Sequence, residues 1–401
     1  MSKRILICTN HFFPETFRCN DVAFELARKG YEVTVLTAIP DYPAGRFYEG
    51  YGFFHRRRET VRGVRVIRAF IIPRGKGGAF RLLLNYLSYF ISSLLVSLRL
   101  GLFGHFDRVL IHETSPVMIG VPAVVVKKLQ HIPLYFWVLD LWPESLQAAG
   151  GINNPRVLGF FRRMTIWIYR HSDKILMSSR GFEKSILEKG DFATRLVYFP
   201  NWADRALEIQ AVRQLPALPK GFVAMFAGNM GEAQDFEHIM QAALLLRDHP
   251  RIHFVLVGDG RKRPWVENYI AQHGLQATIH WMGRHPVEMM PAFFEQADVM
   301  LMTLKDVNIF NLTAPAKLQA YMSAAKPIVA MMNGEGPRLV AEAQCGRSVA
   351  AGDAEGLARV LREMSGLHPA QLAEMGRRGK IYQQEHFDLD KSITHLEELL
   401  S

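Results

Sequence analysis

The chain has 401 residues, a net charge of +10 and three cysteines. This length exceeds what one simple core usually fills, so two domains are expected. The three cysteines show no metal-binding spacing, which argues against a cysteine-bound zinc site and favours a reducing compartment. The N-terminal run "MSKRILICTN" has too short an apolar segment for a signal peptide and predicts a first strand.

Short apolar runs alternate with helical patterns along the first half of the chain. This alternation predicts a parallel sheet built from β-α-β units. Strands are expected at Arg4–Thr9, Glu32–Ala38, Val64–Phe70, Arg108–Glu113, Pro133–Asp140, Lys174–Ser179 and Leu196–Asn201.

Much of the positive charge lies in a basic block, His55–Arg81, with the sequence "HRRRETVRGVRVIRAFIIPRGKGGAFR". Basic residues beside an apolar segment suit an anionic membrane surface, and no nucleic-acid module accompanies them. A solvated surface loop is the alternative interpretation. The candidate membrane contacts are Arg56, Arg57, Arg58 and Arg81.

The segment that follows, Arg81–Arg99, is a mostly apolar helical pattern in which Asn85, Ser88, Ser92 and Arg99 share one narrow stripe. Three interpretations stay open at this point. The helix is buried on the sheet, or it lies in the membrane interface, or it crosses the membrane, for which its length is near the lower limit.

The alternation of strands and helices is interrupted by a polar, proline-bearing stretch at 206–221, which predicts a linker, and then resumes. The second half therefore predicts another parallel sheet, and the whole chain predicts an α/β fold with two Rossmann-like doubly wound domains facing a cleft. Ligands of such sheets bind at the carboxyl ends of the strands. The further strands are expected at Phe222–Gly228, Ile252–Gly258, Thr278–Gly283, Val299–Leu304, Pro327–Met332 and Arg347–Ala351.

Three features of the second half predict a phosphorylated ligand. Gly228 and Gly258 each end a strand and open a turn, where glycine lets a phosphate approach the backbone N–H groups. In "TAPAKLQAYMSAAKP" (Thr313–Pro327), proline is expected at the first position of a helix whose first turn carries Lys317. A lysine is unfavourable there unless an anion lies nearby. The sequence contains no phosphate-binding P-loop, and no dinucleotide-binding glycine motif follows the first strand.

Carboxylates follow one strand of the first half and are candidates for hydroxyl binding or acid–base chemistry. Asp140 and Glu144 lie in "VLDLWPES", with a helix cap as the alternative role of Asp140 and a helix-start carboxylate as that of Glu144. His11 follows the first strand. The Asp388-Leu389-Asp390 run is expected to cap a helix rather than bind a metal.

Seven motifs together resemble the retaining glycosyltransferases of the GT-B fold, family 4. The resemblance is closest to the branch that assembles bacterial surface polysaccharide, including the N-acetyl-L-fucosamine transferases. The motifs, in chain order, are "FFPE", "LARKGYEVTVLTAIPDYPAGRFYEGY", "DLWPES", "FPNWAD", "GNMGEAQDFEHI", "VGDG" and "PAKLQAYMSAAKPIVA".

This resemblance implies a domain order and a set of site residues. The first domain (1–205) would bind the acceptor, the second (222–380) would bind a UDP-sugar donor, and 381–401 would return to the first. Catalytic roles are implied for Asp140 and Lys317. Donor binding is implied for Gly228, Asn229, Gly231, Gly258, Asp259, Gly283, Arg284, His285, Asn311, Pro315, Lys317, Leu318 and Gln319. The acceptor side is implied for Glu15, Arg18, Asp140 and Glu144.

The resemblance also implies a reaction and a location. A sugar, an N-acetylated deoxyhexosamine or a hexose, would move to a polyprenyl-diphosphate-linked acceptor in O-antigen, capsule or exopolysaccharide synthesis. No metal or other cofactor is expected, and the enzyme would work in the cytoplasm on the inner face of the plasma membrane.

The sequence departs from the family at two glutamate positions, which here are Asn311 and Gln319, and at an arginine–lysine pair replaced by Asn229 and Gln234. A glycine pair common after the first strand is also missing. Two other hypotheses remain. One is a UDP-sugar epimerase of the similar two-domain fold, and the other, suggested by Asn311 and Gln319, is a catalytically silent relative that binds the sugar nucleotide.

Overall fold

The computed structural model describes residues 3–75, 77–207 and 215–401. The chain divides into two compact units, one formed by Met1–Phe199 with Ile393–Ser401 and the other by Pro200–Ser392. The predicted linker at 206–221 lies partly outside the described residues.

The first unit is built on an eight-stranded sheet with the order β3-β4-β2-β1-β5-β6-β7-β8. All neighbouring strands are parallel except β3 and β4. Its central strands are continuous apolar runs because both faces of a parallel sheet are covered by helices, and Ile5, Leu6 and Ile7 are fully buried. The strands are β1 Arg4–Cys8, β2 Glu32–Ala38, β3 Arg58–Val61, β4 Val64–Ala69, β5 Arg108–Glu113, β6 Leu134–Val138, β7 Lys174–Met177 and β8 Leu196–Tyr198.

The helices of the first unit connect these strands in the right order for β-α-β crossovers. They are α1 Arg18–Arg28, α2 Ala79–Phe103, α3 Gly120–Gln130, α4 Glu144–Gly150, α5 Pro155–His171 and α6 Phe182–Leu187. The longest, α2, packs along α3 and over β2 and β4. It includes the whole of the predicted Arg81–Arg99 helix.

The second unit is built on a six-stranded parallel sheet with the order β11-β10-β9-β12-β13-β14. The strands are β9 Phe222–Ala227, β10 Ile252–Val257, β11 Ile279–Gly283, β12 Val299–Thr303, β13 Ile328–Met331 and β14 Gly346–Val349. The helices are α7 Phe236–Leu245, α8 Arg263–His273, α9 Met290–Glu295, α10 Asn308–Leu312, α11 Ala316–Ser323, α12 Glu335–Glu342, α13 Ala354–Ser365 and α14 Pro369–His386. All six predicted strands of this half are confirmed, with ends that differ by one or two residues.

The last helix, α15 (Leu389–Leu400), belongs to the first unit from Ile393 onward. Asp388 caps its start, because the Asp388 carboxylate accepts the backbone N–H of Lys391 at 2.8 Å. At the other end, Lys3 Nζ donates to the carbonyl of Leu400 at 3.2 Å, and Lys29 pairs with Glu397 at 2.7 Å.

The basic block is not simply the surface loop of the alternative interpretation, because Arg58–Val61 and Val64–Ala69 pair as an antiparallel hairpin. Its arginines have different environments. Arg58 and Arg65 are exposed, whereas Arg68 is 1 % exposed, pairs with Glu59 and donates to the carbonyl of Phe13 at 2.9 Å. Arg68 therefore belongs to the framework of the unit.

We expect Arg68→Met to lower the free energy of unfolding by about 3 kcal/mol. The substitution removes one partner of an ion pair inside the unit and leaves the Glu59 carboxylate without its counter-charge. Urea denaturation followed by circular dichroism measures this change. The matched control is Arg65→Met, which removes an exposed arginine from the same strand and should change stability by less than about 0.5 kcal/mol. Equal losses in the two variants would show that Arg68 has no such framework role.

Candidate functional site

Glycine turns shape the carboxyl ends of β9 and β10 in the second unit. Gly228 and Gly258 have φ angles of 133° and 144°, which disfavour any other residue. A Cβ on Gly258 would lie 1.9 Å from the Gly228 carbonyl oxygen, and a Cβ on Gly228 would lie 2.9 Å from Lys317 Cε. The two turns therefore pack backbone against backbone, with Lys317 beside them.

Helix α11 begins at this edge of the sheet. Pro315 is its N-cap residue, with φ −65° and ψ 136°, so the prediction that proline is the first helical residue is off by one position. Tyr321 fastens the helix to β9, because its hydroxyl donates to the Ala227 carbonyl at 3.0 Å and accepts the Ala227 N–H at 3.1 Å. Leu318, predicted as a donor contact, lies on the buried face of α11 and its side chain is fully buried.

Lys317 is the basic residue in the first turn of α11. Its Nζ lies 3.5 Å from the centre of the Phe226 ring and donates to the side-chain oxygen of Gln234. An aromatic face and an amide oxygen attract a cation but do not neutralise it. Burial lowers the pKa of Lys317 well below its ordinary value. An anion bound here would stabilise the charged form.

The loop between β9 and α7 contains Asn229, Gly231 and Gln234. It is held against the end of β12, since the Gln234 carbonyl accepts the Thr303 hydroxyl at 2.5 Å and the Ala233 carbonyl accepts the Lys305 N–H at 2.9 Å. Gln234, which replaces a basic residue of the family, instead positions the ammonium of Lys317.

Two further lysines lie beside this loop and were not predicted as site residues. Lys262 pairs with Glu232 at 3.0 Å and with Glu237, and Lys305 pairs with Glu237 at 3.4 Å. Lys262 belongs to the three basic residues that follow Gly260, so the sequence contained a signal for it. Nothing in the sequence near Lys305 pointed to this position.

The two amides that replace family glutamates have different environments. Asn311 Nδ2 donates to Asp306 at 2.7 Å on the surface. Gln319 is 1 % exposed, and its amide, in the orientation that satisfies both of its polar atoms, donates to the carbonyls of Pro315 and Ala316 at 2.9 and 3.1 Å. Gln319 thus completes the first turn of α11, and its contact with a ligand stays a prediction.

The end of β11 holds the residues predicted to contact the base and ribose. The Gly283 carbonyl accepts the Gly258 N–H at 2.8 Å, which joins this turn to that of β10. The ring of His285 packs on Phe293 with centres 4.8 Å apart, while Arg284 is exposed. Asp259 accepts the N–H of Gly260 at 2.8 Å. The structure therefore places Gly228, Gly258 and Gly283 at one edge of the sheet.

In the first unit, Glu15 lies in a polar cluster at the carboxyl ends of β1 and β2. Its carboxylate accepts the N–H groups of Asp41 and Tyr42 at 2.9 and 2.7 Å. Arg74 donates a hydrogen bond to His11 Nε2 at 2.9 Å, so Nε2 is an acceptor and carries no proton. The ring proton is therefore on Nδ1, which donates to the Glu15 carboxylate at 2.9 Å.

The guanidinium of Arg74 lies between two aromatic rings, 5.4 Å from the centre of Tyr42 and 5.6 Å from that of Tyr86. Asp41 accepts the Arg74 backbone N–H at 2.8 Å, and burial raises the pKa of Asp41. The sequence did not predict Asp41 or Arg74, because 33 residues separate them and no local pattern joins them.

Asp140 lies after β6 and is the most constrained of the predicted catalytic residues. One carboxylate oxygen accepts the Ser115 hydroxyl and the other accepts the Ser145 hydroxyl. Burial raises the pKa of Asp140 despite these hydrogen bonds, and the Glu144 carboxylate raises it further. The backbone N–H of Asp140 donates to Glu113 at 3.1 Å, and burial raises the pKa of Glu113 well above its ordinary value.

The other two predicted acceptor-side residues have partners of their own. Glu144 begins α4, as its alternative role required, and its carboxylate binds the Lys189 ammonium and the Ser185 hydroxyl, the latter at 2.8 Å. Arg18 begins α1 and lies 3.6 Å from Asp21. A binding role for either residue stays a prediction.

Within residues 3–75, 77–207 and 215–401, no group of three or more His, Cys, Asp or Glu residues has the arrangement of a metal site. The prediction that the reaction needs no bound metal or other cofactor is untested.

Two protein families match the chain. Residues 16–202 match the family described as "Glycosyl transferase 4-like domain", and residues 221–365 match "Glycosyl transferases group 1".

Two similar proteins are named as glycosyltransferases. The chain is 27 % identical over 339 residues to the probable glycosyltransferase WbjE of Pseudomonas aeruginosa, covering 80 % of this chain and 82 % of that one. It is 26 % identical over 295 residues to WcaI of Escherichia coli, a putative colanic acid biosynthesis glycosyl transferase, covering 70 % of both.

Solved structures share the fold over the whole length. Sucrose-phosphate synthase from Thermosynechococcus elongatus superposes with a TM-score of 0.74 at 15 % identity, covering 99 % of this chain and 98 % of that one. HepE of Anabaena, solved with UDP and glucose, gives 0.67 at 14 % identity, covering 100 % and 99 %. WaaG, a glycosyltransferase of lipopolysaccharide biosynthesis, gives 0.65 at 15 % identity, covering 99 % of both.

These structural neighbours confirm the GT-B fold class, with two Rossmann-like domains. The two family matches together span most of the chain. The two halves of the chain therefore match, in this order, a glycosyl transferase 4-like domain and a group 1 domain, and the protein is an enzyme, a glycosyltransferase.

Proposed function

We propose that this glycosyltransferase moves a sugar from a UDP-sugar to a lipid-linked saccharide in the synthesis of a bacterial surface polysaccharide, with retention of the anomeric configuration. The observation that carries the proposal is the ammonium of Lys317, placed at the start of α11 with an amide and an aromatic ring as its partners. The names of WcaI and WaaG support the class of product, and the UDP in HepE supports the donor.

The donor's leaving group is a nucleoside diphosphate, which gains negative charge as the bond to the sugar breaks. The free N–H groups at the start of α11 and the Lys317 ammonium would stabilise this charge without reorganisation. The turns at Gly228 and Gly258 would let the phosphates approach the backbone. Asn229 and Asn311 would hydrogen-bond the donor, and Arg284 and His285 would contact the base and ribose.

On the acceptor side, Asp140 would orient the incoming hydroxyl or accept its proton. Its two serine partners fix the carboxylate, and its raised pKa makes it a better base than an exposed aspartate. The cluster of Glu15, His11 and Arg74 would bind the polar part of the acceptor. The polyprenyl diphosphate of such an acceptor would keep the enzyme at the cytoplasmic face of the membrane.

The two other hypotheses have less support. Both family matches and the curated relatives are transferases, which disfavours an epimerase and a silent binding protein. The transferred sugar, proposed to be an N-acetylated deoxyhexosamine or a hexose, is to be identified by testing labelled UDP-sugars.

We expect Lys317→Ala to weaken UDP binding by about 10- to 100-fold, because a hydrogen bond to a charged group contributes about 1.5–3 kcal/mol. Isothermal titration calorimetry with UDP measures the change. The matched control is Lys326→Ala, which removes a lysine just before β13. This position is at the amino end of the strand, whereas the proposed donor site is at the carboxyl ends of the strands. Equal affinity of the Lys317→Ala variant and the unmodified protein would refute the donor site proposed here.

UDP binding should take up protons at pH values above the lowered pKa of Lys317, because burial disfavours the ammonium in the free protein and a bound diphosphate favours it. Affinity is therefore expected to fall as the pH rises above the lowered pKa of Lys317. Calorimetry in two buffers of different ionisation enthalpy, above about pH 7.5 where the terminal phosphate is already ionised, measures the proton count. An uptake that persists unchanged in Lys317→Ala would assign it to another group.

We expect Asp140→Asn to leave UDP affinity unchanged and to slow transfer by at least about 100-fold, since the amide cannot accept a proton. The assay follows label from UDP-N-acetylhexosamines and UDP-hexoses into extractable lipid-linked saccharide. The matched control is Asp191→Asn, which changes an exposed aspartate of the same unit. Full activity of Asp140→Asn would exclude the proposed role.

A further inference from the structure

Helix α2 is amphipathic in the opposite sense to a helix on the surface of a soluble domain. Its uncharged polar side chains point into the first unit. Asn85 is 1 % exposed and donates to the Ile72 carbonyl at 2.7 Å, and the Ser92 hydroxyl donates to the Phe70 carbonyl at 2.5 Å. The hydroxyl of Tyr89 donates to the Thr9 carbonyl at 2.7 Å. Of the stripe that the sequence singled out, Asn85, Ser88 and Ser92 therefore lie on the inner face, whereas Arg99 is exposed.

The outer face of α2 is apolar over its whole length. Eight large side chains there are 40–77 % exposed, at spacings of three or four residues until the final adjacent pair. They are Phe80, Leu83, Leu87, Ile91, Leu95, Leu98, Leu102 and Phe103. The helix has 25 residues, so this face is about 37 Å long. Such a continuous apolar stripe marks a surface that is covered by a partner.

The charges around this face indicate which partner covers it. Helix α2 contains no aspartate or glutamate, and its arginines, Arg81 and Arg99, are both exposed. At its C-terminal end, Arg4, Arg65, Arg99 and His105 line a pocket of about 400 Å³ together with Phe103 and Glu32. An apolar helix face with arginines at both ends complements the acyl chains and anionic headgroups of a lipid monolayer.

The inner face excludes a spanning arrangement. By length and composition alone, Phe80–Phe103 has a mean hydropathy of 1.5 and is long enough to cross a bilayer. The hydrogen bonds of Asn85, Tyr89 and Ser92 to the first unit hold one side of α2 against β-strand ends and loops. Only the other side is free to enter lipid.

We infer that the outer face of α2 inserts into the surface of an anionic membrane, with Arg81 and Arg99 on lipid headgroups. The inference rests on the proposed function only in that a lipid-linked acceptor explains why such a surface is present. Of the arginines predicted to contact the membrane, Arg57 is engaged within the unit, since it donates to the carbonyls of Arg68 and Phe53 at 2.7 and 3.0 Å. The inference therefore assigns the membrane contact mainly to α2.

The test is flotation of the whole protein with phosphatidylcholine vesicles that contain about 30 % phosphatidylglycerol. We expect the variant Leu87→Gln/Ile91→Gln/Leu95→Gln to bind about 100-fold more weakly than the unmodified protein. The matched control, Leu245→Gln/Val287→Gln/Ile381→Gln, changes three exposed aliphatic residues of the second unit and should bind normally. Equal vesicle binding by the α2 variant and the control overturns the inference.

The arginines are tested separately. Arg81→Gln/Arg99→Gln should weaken vesicle binding at about 0.1 M salt and have less effect at about 1 M, where charges are screened beyond about 3 Å. Arg359→Gln/Arg362→Gln removes the same charge from exposed positions of α13 and serves as the control. Equal effects of the two pairs would overturn the assignment of the headgroup contacts.

A fluorescent label distinguishes lipid from a second copy of the chain. The three cysteines are buried, so Leu95→Cys provides one accessible thiol for an environment-sensitive dye. The dye emission should shift to the blue only when vesicles are added, and a label at Leu245→Cys should not respond. A blue shift without vesicles, with a dimer in light scattering, would overturn the inference in favour of self-association.

UDP binding by the same proteins separates this inference from the proposed function. The α2 variant should keep its affinity for UDP, because the donor site lies in the other unit. Loss of vesicle binding with UDP affinity intact supports the inference. If the unmodified protein binds UDP but does not bind vesicles, the inference is overturned and the proposed donor site is still supported.

Discussion

The contact between the Lys317 side chain and the end of β9 is the constraint on which the proposed donor site depends. The ammonium lies on the Phe226 ring, and Gly228 must lack a side chain because a Cβ there would lie 2.9 Å from Lys317 Cε. Tyr321 holds the helix in register with the strand through two hydrogen bonds to Ala227. The protein thus holds the Lys317 amine in an environment that lowers its pKa. A bound anion would raise this pKa again, because it favours the ammonium.

The two units supply different chemistry from equivalent positions of similar sheets. In the second unit, backbone turns and a lysine meet at the carboxyl ends of β9 and β10. In the first unit, carboxylates and hydroxyls meet at the carboxyl ends of β5 and β6, where Asp140 binds two serines. A cationic, glycine-rich edge suits a diphosphate, whereas a carboxylate of raised pKa suits a hydroxyl. This division agrees with a donor in one unit and an acceptor in the other.

The sequence predicted the strands well because buried parallel strands are continuous apolar runs. It missed β3, whose residues "RETV" alternate between exposed and half-buried and contain no such run. Lys317 was predicted because a lysine in the first turn of a helix conflicts with the helix dipole unless an anion is present. The cluster of Asp41 and Arg74 was not, because only the folded chain brings these residues together.

The direction in which α2 faces was also beyond the sequence. Periodicity identified the stripe of Asn85, Ser88 and Ser92, but it cannot show which side of a helix meets the domain. The answer depends on partners distant in the chain, such as the carbonyls of Ile72 and Phe70.

The position of the diphosphate is measured by a crystal structure of the protein with UDP. We expect an oxygen of the terminal phosphate to lie about 2.7–3.2 Å from Lys317 Nζ and from a backbone N–H in the first turn of α11. A diphosphate bound elsewhere, with Lys317 still on Gln234 and the Phe226 ring, would contradict it.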